Sequence, residues 1–179
     1  MALISEEYRL EQLEMHERYP QYGSASVQFA PFIERIILDW GIREVLDYGA
    51  GKGRLGLALL NSMGARCPSI TNYEPARLGW DTTPEPAELV TCIDVLEHVE
   101  PSCIADVLDD LSRCTKTLGV FTIHTGPAIK TLSDGRNAHL IQQQFEWWEP
   151  MISARFTIES VDLIENGIIL LLTPLHNEK

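Results

Sequence analysis

Positive charge is scarce in this sequence. Its 179 residues include 14 Lys and Arg against 26 Asp and Glu, which gives a formal net charge of −12 at pH 7. A chain this acidic repels the phosphate backbone of nucleic acids at long range. We therefore expect a small-molecule partner. Nucleic acid is disfavoured unless a local basic patch around Lys116, Lys130 and Arg136 offsets the repulsion, and the sequence does not indicate an oligomeric state.

Long apolar runs are also missing. No run approaches the ~20 residues that would span a bilayer. The start of the chain is rich in glutamate between residues 6 and 17 and lacks the basic and apolar parts of a signal peptide. We therefore expect a cytoplasmic location with no membrane span. The four cysteines show no C-x-x-C spacing, which argues against a zinc cluster or a disulfide framework.

The apolar pattern alternates between strand and helix along most of the chain. It predicts strands at 44–48, 69–73, 88–93 and 119–124, and helices at 5–19, 26–40, 54–63, 101–117 and 145–154. Two further strands, 156–164 and 168–173, flank Asn166-Gly167, which is a strong hairpin signal. This order predicts an α/β fold, a doubly wound and mostly parallel sheet with a C-terminal antiparallel hairpin. The length favours one domain, 1–179, with N-terminal cap helices in 1–41 and an α/β core in 42–179.

A glycine-rich turn follows the first predicted strand. The strand ends in Asp47, and Gly49, Gly51 and Gly53 alternate before the next helix. Glycines let a backbone adopt positive φ and approach a ligand closely, and the N–H groups of the following helix point at that ligand. Glu74 ends the second strand, where a carboxylate can accept both hydroxyls of a ribose. The alternative is an ordinary turn between strand and helix with solvent-facing acids.

The arrangement Asp-x-Gly-x-Gly-x-Gly resembles motif I of the class I S-adenosylmethionine-dependent methyltransferases. The segment Leu89–Val99 resembles the fourth-strand signature of the same family. The resemblance implies S-adenosylmethionine as cofactor. It also implies that Glu74 holds the ribose, that Asp47 orients the turn and the methionine ammonium group, and that Tyr22 contacts the methionine carboxylate. The implied cofactor-binding residues are Asp47, Gly49, Ala50, Gly51, Glu74, Asp94, Val95, Leu96, Tyr22 and Gly23. Aromatic packing over the turn is the alternative role for Tyr22.

One segment departs from that family. The class has a helix and a third strand after Glu74, but residues 75–87 are too short and too rich in Pro and Gly to hold both. We therefore expect the third strand and its preceding helix to be shortened or missing. Trp80 in this segment could stack on adenine or could instead cap the core.

Polar side chains are concentrated again after the strand at 119–124, in the loop from Asp134 to His139. Loops at the carboxyl ends of strands often carry function. Arg136 suits an anionic group of the acceptor, and His139 can act as a base near neutral pH. A solvated surface loop without a role in the reaction is the alternative.

Four side chains suggest a metal site. Asp94, Glu97 and His98, with His139 before Phe-Glu-Trp, resemble the acid-x-x-Glu-His plus distal His pattern of metal-dependent small-RNA 3′-terminal 2′-O-methyltransferases. The resemblance implies a divalent metal that gathers and acidifies a hydroxyl, with His98 and His139 also as catalytic residues. Similar runs occur in quinone O-methyltransferases. The alternative is that Glu97 and His98 only cap the following helix.

The sequence thus predicts a methyltransferase that transfers a methyl group from S-adenosylmethionine to oxygen or nitrogen of an unidentified acceptor. A non-catalytic module that binds S-adenosylmethionine or a partner protein is one alternative. A nicotinamide-dependent oxidoreductase is another, although the turn fits G-x-G-x-x-G poorly and no Tyr-x-x-x-Lys pair stands at a catalytic position.

Overall fold

The computed structural model describes residues 3–175, and within them six strands form one sheet in the order β2-β1-β3-β4-β6-β5. The strands are β1 Glu44–Tyr48, β2 Ser69–Tyr73, β3 Ala87–Ile93, β4 Thr115–His124, β5 Phe156–Ile164 and β6 Gly167–Pro174. The first four are mutually parallel, whereas β6 runs antiparallel to both β4 and β5. The predicted fold class is therefore confirmed. Because the chain turns to opposite sides after β1, the strand order reverses between β1 and β3, where open α/β sheets bind ligands.

Five α-helices accompany the sheet in this part of the chain. They are α1 Glu6–Arg18, α2 Ala30–Trp40, α3 Arg54–Met63, α4 Ile104–Cys114 and α5 Phe145–Ser153. The hydroxyl of Ser5 accepts a hydrogen bond from the Tyr8 amide and caps α1, while Gly41 ends α2 with a φ of 64°. These ends follow from ordinary capping chemistry.

Two predicted helices differ from those observed. The segment predicted as one helix from 26 to 40 is a 3₁₀ helix, Ala25–Phe29, followed by α2. Pro31 lies in the first turn of α2, where its missing N–H is tolerated. A single helix from 26 to 40 would place Pro31 in its interior, where proline breaks a helix. The helix predicted to reach residue 117 ends at Cys114, because Thr115 pairs with Ala87 and begins β4. Thr115 is β-branched, and its backbone completes the ladder with β3.

The segment between β2 and β3 contains neither a helix nor a strand, which confirms the expected loss of the third strand and its helix. The Trp80 side chain lies against Gly53, and the Arg77 guanidinium stacks on the Trp80 ring at 3.6 Å from its centroid. The ring therefore covers the start of α3.

The core has two layers, one on each face of the sheet. The first contains Phe121, Trp148 and Phe156 under α4 and α5, and the second contains Ile33 and Leu59 from α2 and α3. A smaller third cluster packs α1 against the loop after β4 through Tyr8, Met15, Leu132 and Ala138. Helix α1 thus forms a roof over the carboxyl ends of the strands. None of the helices within residues 3–175 has the length and apolar character needed to cross a membrane.

Candidate active site

The glycine turn is anchored to the end of β2 by three backbone amides. The amides of Gly49 and Ala50 both donate to the carbonyl of Tyr73, at 2.8 and 2.9 Å. The Gly51 amide donates to one carboxylate oxygen of Glu74 at 3.0 Å, and the other oxygen accepts from the Ala76 amide at 3.1 Å. Burial raises the pKa of Glu74, although these two amides oppose the rise. Glu74 therefore holds the turn and keeps lone pairs for a further donor.

Two contacts explain why the turn needs glycine. A Cβ on Gly49 would come within 2.4 Å of the Val95 side chain, and one on Gly51 within 2.7 Å of the Gly23 carbonyl oxygen. The Tyr22–Gly23 turn before the 3₁₀ helix therefore rests directly on the glycine turn. This contact brings the N-terminal segment, the end of β1 and Val95 after β3 to one place.

Asp47 lies behind the turn and lines neither cavity described below. Its side chain is 1% exposed. One carboxylate oxygen accepts from the Thr91 hydroxyl at 3.1 Å, and the other is buried without a hydrogen-bond partner. Burial raises the pKa of Asp47 to about 7, against the effect of the Thr91 hydroxyl. The Asp47 carboxylate thus links the end of β1 to β3.

Two adjoining cavities open at the carboxyl ends of β1 and β3. The larger has a volume of about 330 Å³ and is lined by the Tyr22–Gly23 turn, Gly49, Asp94 and several imidazoles. The smaller, of about 80 Å³, is lined by Tyr48, Tyr73 and Glu74 beneath α1. Three side chains line both cavities, namely Gln12, Val95 and His98. A long ligand could therefore extend from one compartment into the other past these three groups.

Two imidazoles in the larger cavity have fixed tautomers. The Nδ1 atoms of His98 and His139 lie 2.7 Å from the carbonyl oxygens of Ala138 and Gly126, respectively. A carbonyl only accepts, so each Nδ1 carries the hydrogen and each Nε2 keeps a free lone pair. Burial lowers the pKa of His98 to about 3 and also lowers the pKa of His139. Both rings are consequently neutral at pH 7.

A buried carboxylate lies beside these rings. Glu97 is fully buried; one of its oxygens accepts from the His124 amide at 3.0 Å, and the other has no partner. Burial raises the pKa of Glu97 well above its ordinary value, and the nearby Asp94 charge acts in the same direction. One ligand atom from each of Glu97, His98 and His139 lies within 4.8 Å of the others. The trio thus brings together one oxygen donor and two nitrogen donors, the atom types that bind divalent cations.

The structure separates Asp94 from the trio. Its backbone has a φ of 51°, and its carboxylate accepts a 2.6 Å hydrogen bond from the Thr122 hydroxyl. In the described part of the chain, the predicted four-residue set is therefore a set of three. The neighbouring strand β4 provides the hydroxyl that holds Asp94 in place, and Asp94 still lines the larger cavity.

Arg136 lies outside both cavities. Its guanidinium pairs with Asp134 in the same loop and lies 5.8 Å from the centre of the Tyr8 ring. The basic side chain that lines the larger cavity is Lys130, whose ammonium group lies 5.5 and 5.8 Å from the ring centres of Tyr19 and Tyr22. The short Asp134–Arg136 spacing explains the difference, because it favours a pair within the loop.

A family model described as a methyltransferase domain matches residues 15–164. This range includes the glycine turn, Glu74, the imidazoles and most of the sheet. The chain belongs to the class I S-adenosylmethionine-dependent methyltransferase family. A search of curated protein sequences finds no significant match.

Solved methyltransferases share this fold at low sequence identity. The 1,6-didemethyltoxoflavin-N1-methyltransferase of Burkholderia thailandensis, solved with S-adenosylhomocysteine, is 16% identical, with a TM-score of 0.65 over 97% of this chain and 92% of that one. The magnesium protoporphyrin IX methyltransferase of Synechocystis PCC 6803 is 13% identical, with a TM-score of 0.57 over 85% and 84%. An rRNA methylase of Escherichia coli is 18% identical, with a TM-score of 0.52 over 92% and 76%. At these identities the likeness concerns the fold.

Several residues that line the larger cavity were not predicted from the sequence. His124 lines the larger cavity, with its ring 4.8 Å from that of His139. His124 is the last residue of β4 and lies at the same edge of the sheet as Asp94, and this position could have identified it from the sequence. Gln12 and the cavity-facing position of Lys130 had no comparable signal, because both depend on contacts between distant segments. Leu96, a predicted cofactor residue, is fully buried and lines neither cavity.

Replacing Gly51 with alanine tests the packing of the methyltransferase's glycine turn. Gly41 and Gly51 both have positive φ, 64° and 53°, but a Cβ on Gly41 would meet nothing within 4 Å. We expect Gly41→Ala to lower the free energy of unfolding by about 1 kcal/mol, the cost of left-handed backbone for a non-glycine residue. Gly51→Ala adds a clash with the Gly23 backbone and should lose at least about 2 kcal/mol. Equal losses in urea unfolding would show that the Gly23 contact is unimportant.

Proposed function

We propose that this protein transfers the methyl group of S-adenosylmethionine to an oxygen or nitrogen atom of a small-molecule acceptor. The observation that carries the proposal is the two-part cavity at the reversal of strand order, with Glu74 in the smaller part, the neutral imidazole of His139 in the larger part and His98 lining both. The acidic chain, with a net charge of −12, supports a small molecule over a nucleic acid as the acceptor.

The described residues fit the cofactor in a defined direction. Glu74 in the smaller cavity would accept the ribose hydroxyls, and Tyr48 and Tyr73 would border the adenosine. The Tyr22–Gly23 turn, Gly49, Asp94 and Val95 would surround the methionine part in the larger cavity. Asp47, Ala50 and Gly51 would support the turn from behind. The Val95 side chain, which packs on Gly49, would separate the two parts of the cofactor.

Methyl transfer is a displacement at carbon, since the sulfonium carries its own leaving group. The protein must hold the acceptor atom in line and remove its proton. Nε2 of His139 has a free lone pair and lies in the cavity that would hold the methionine part. We assign it the role of proton acceptor, with His98 beside it, the two ring centres 4.7 Å apart.

A divalent metal is the alternative to His139 as proton acceptor, because an Nε2 atom that binds a metal has no lone pair left for a proton. Glu97 has an unpaired carboxylate oxygen, and one ligand atom from each of Glu97, His98 and His139 lies within 4.8 Å of the others. Hydrogen bonds from Nδ1 to carbonyls are typical of metal-binding histidines. A cation held there would lower the pKa of an acceptor hydroxyl. Lone pairs on nitrogen favour Mn²⁺ or a later metal over Mg²⁺.

The cofactor assignment is tested by thermal unfolding with and without ligand. S-adenosylmethionine and S-adenosylhomocysteine should raise the melting temperature, because a ligand that binds only the folded state stabilises it. Glu74→Ala should weaken binding by about 1–3 kcal/mol, since it removes charge-assisted hydrogen bonds. Glu85→Ala, at an exposed position between β2 and β3, is the matched control.

Circular dichroism should show that both variants are folded at the temperature of titration. A shift with a nicotinamide dinucleotide and none with either methionine compound would contradict the assignment. A protein that binds S-adenosylmethionine but methylates nothing across a broad acceptor panel would instead favour a non-catalytic module.

A further inference from the structure

Gln12 on α1 carries a donor that has no partner. Its side chain is buried, with 8% exposure, and its Nε2 atom makes no hydrogen bond. Nearly all buried polar atoms in proteins are paired. Because Gln12 lines both cavities, its unpaired donor is adjacent to the space that a ligand would occupy.

The orientation of this amide is set by its neighbours. The Tyr22 hydroxyl donates to Oε1 of Gln12 at 2.8 Å, which leaves Nε2 as the free end. Tyr22 is in turn placed between His16 and His98, with ring centres 5.0 and 5.7 Å away. The hydrogen bond from Tyr22 therefore fixes which end of the Gln12 amide is free.

The position of α1 is fixed as well. The Ser5 amide and hydroxyl both donate to Glu100, each at 2.8 Å, and the Tyr8 hydroxyl donates to the His98 carbonyl at 2.6 Å. On the next turns, Glu11 accepts from the amide and hydroxyl of Ser133. Gln12 directly follows Glu11 on the same helix, so these attachments fix the position of its side chain relative to the cavities.

We infer that Gln12 is a cofactor-binding residue, and that its Nε2–H donates to an oxygen of the ribose. The inference rests on the proposed function. Glu74 lines the smaller cavity from the β2 side, and Gln12 lines it from the α1 side. The ribose joins the two halves of the cofactor, and Gln12 lines the two compartments that would receive those halves. A carboxylate below and a carboxamide above would then hold the sugar from both sides.

The test compares two ligands by calorimetry. S-adenosylhomocysteine has the adenosine and the amino-acid part, whereas 5′-methylthioadenosine keeps the ribose and lacks the amino acid. Gln12→Met removes the donor and keeps the side-chain length. We expect it to weaken binding of both ligands by a similar factor, about tenfold, the effect of leaving one ligand group without its hydrogen bond. Glu14→Gln, on the exposed side of the same helix, should leave both affinities unchanged.

Stability separates a ligand contact from a structural role. Gln12→Met should lower the melting temperature of the unliganded protein no more than Tyr22→Phe does, because both variants break the Tyr22–Gln12 hydrogen bond and the donor that Gln12→Met also removes has no partner there. Tyr22→Phe, which releases Oε1, should weaken both ligands by about threefold.

Three results would overturn the inference. In the first, Gln12→Met binds both ligands as tightly as the wild type does, which would overturn the role of Gln12 but not the proposed function. In the second, only S-adenosylhomocysteine is weakened, which would move the contact to the methionine part. In the third, wild-type protein binds neither ligand, and then the proposed function itself fails.

Discussion

Mn²⁺ or Co²⁺ should bind the wild-type protein at one site, and His98→Ala or His139→Ala should each weaken that binding by at least about 100-fold, or about 2.7 kcal/mol. The expectation follows from the Glu97, His98 and His139 trio, whose ligand atoms lie within 4.8 Å of one another. Loss of one of three protein ligands removes a bond to the metal, whereas loss of an outer hydrogen bond typically reduces affinity 10–100-fold. Titration followed by calorimetry, and by the visible absorption of Co²⁺, measures both the affinity and the ligand set.

His16→Asn is the matched control for the imidazole variants. His16 lines the same cavity but does not belong to the trio. Its replacement should leave metal affinity unchanged. Equal affinity for the wild type, His98→Ala and His139→Ala would show that any metal binds elsewhere, and no binding by the wild type at millimolar metal would end the proposal.

Glu97 permits a separate check on the same site. Its buried carboxylate has one unpaired oxygen and a raised pKa, so the charge is unfavourable without a cation. Glu97→Gln should therefore weaken metal binding without lowering the stability of the metal-free protein. Once an acceptor is known, activity should be lost on chelation and restored by Mn²⁺ or Co²⁺. Activity that survives chelation would leave His139 as a base acting alone.

Asp47→Asn should stabilise the protein increasingly as the pH rises. The pKa of Asp47 is raised from 3.8 to about 7 by burial. Between these values the unfolded chain has lost the proton that the folded protein retains, so folding becomes less favourable with rising pH. Each pH unit contributes about 1.4 kcal/mol. The free energy of unfolding of the wild type should therefore fall relative to that of Asp47→Asn by up to about 4 kcal/mol between pH 4 and pH 7.

The comparison needs the variant because other groups act in the opposite direction. Burial lowers the pKa of His16 to about 4 and that of His98 to about 3. Below about pH 6.5 the unfolded chain takes up protons at these rings while the folded protein does not, so they reduce stability on acidification. Both proteins contain them, and their effect cancels in the difference. Asp162→Asn, on the exposed edge strand β5, is the matched Asp-to-Asn change outside the core.

A pH-independent difference between wild type and Asp47→Asn would contradict the burial of this charge. Urea titrations at several pH values provide the measurement. The same variant should bind S-adenosylhomocysteine at pH 8 if Asp47 supports the turn only by its shape and its contact with Thr91. A large loss of affinity would instead support a direct role of its charge toward the methionine ammonium group.

Local features allowed most of the fold to be predicted from the sequence. The alternation of strand and helix, the Ser5 and Gly41 caps and the Asn166-Gly167 hairpin all depend on neighbouring residues. The end of α4 was harder, because Thr115 leaves the helix to pair with Ala87, a residue 28 positions earlier. A helical pattern alone does not show such a competition between a helix and a sheet.

The candidate site was predictable where it depends on the ends of strands. Glu74, Asp94 and the glycine turn lie there because parallel strands present their carboxyl ends together. The placement of side chains at the cavity was less predictable. Arg136 and Lys130 are both basic, so the sequence pattern alone does not distinguish them. Asp134 pairs with Arg136 and holds it at the surface. Gln12 depends on the docking of α1, which no local pattern specifies.

The attachments of α1 have a consequence for the order of folding. Ser5 and Glu11 are synthesised well before their partners, Glu100 and Ser133, which lie 95 and 122 positions later in the sequence. Contacts so distant in sequence form late, because the intervening chain must be present and ordered before they can close. During synthesis, α1 therefore cannot form its contact with Ser133 until that residue has left the ribosome. A nascent chain shorter than this has the glycine turn and Glu74 but no roof to enclose a ligand.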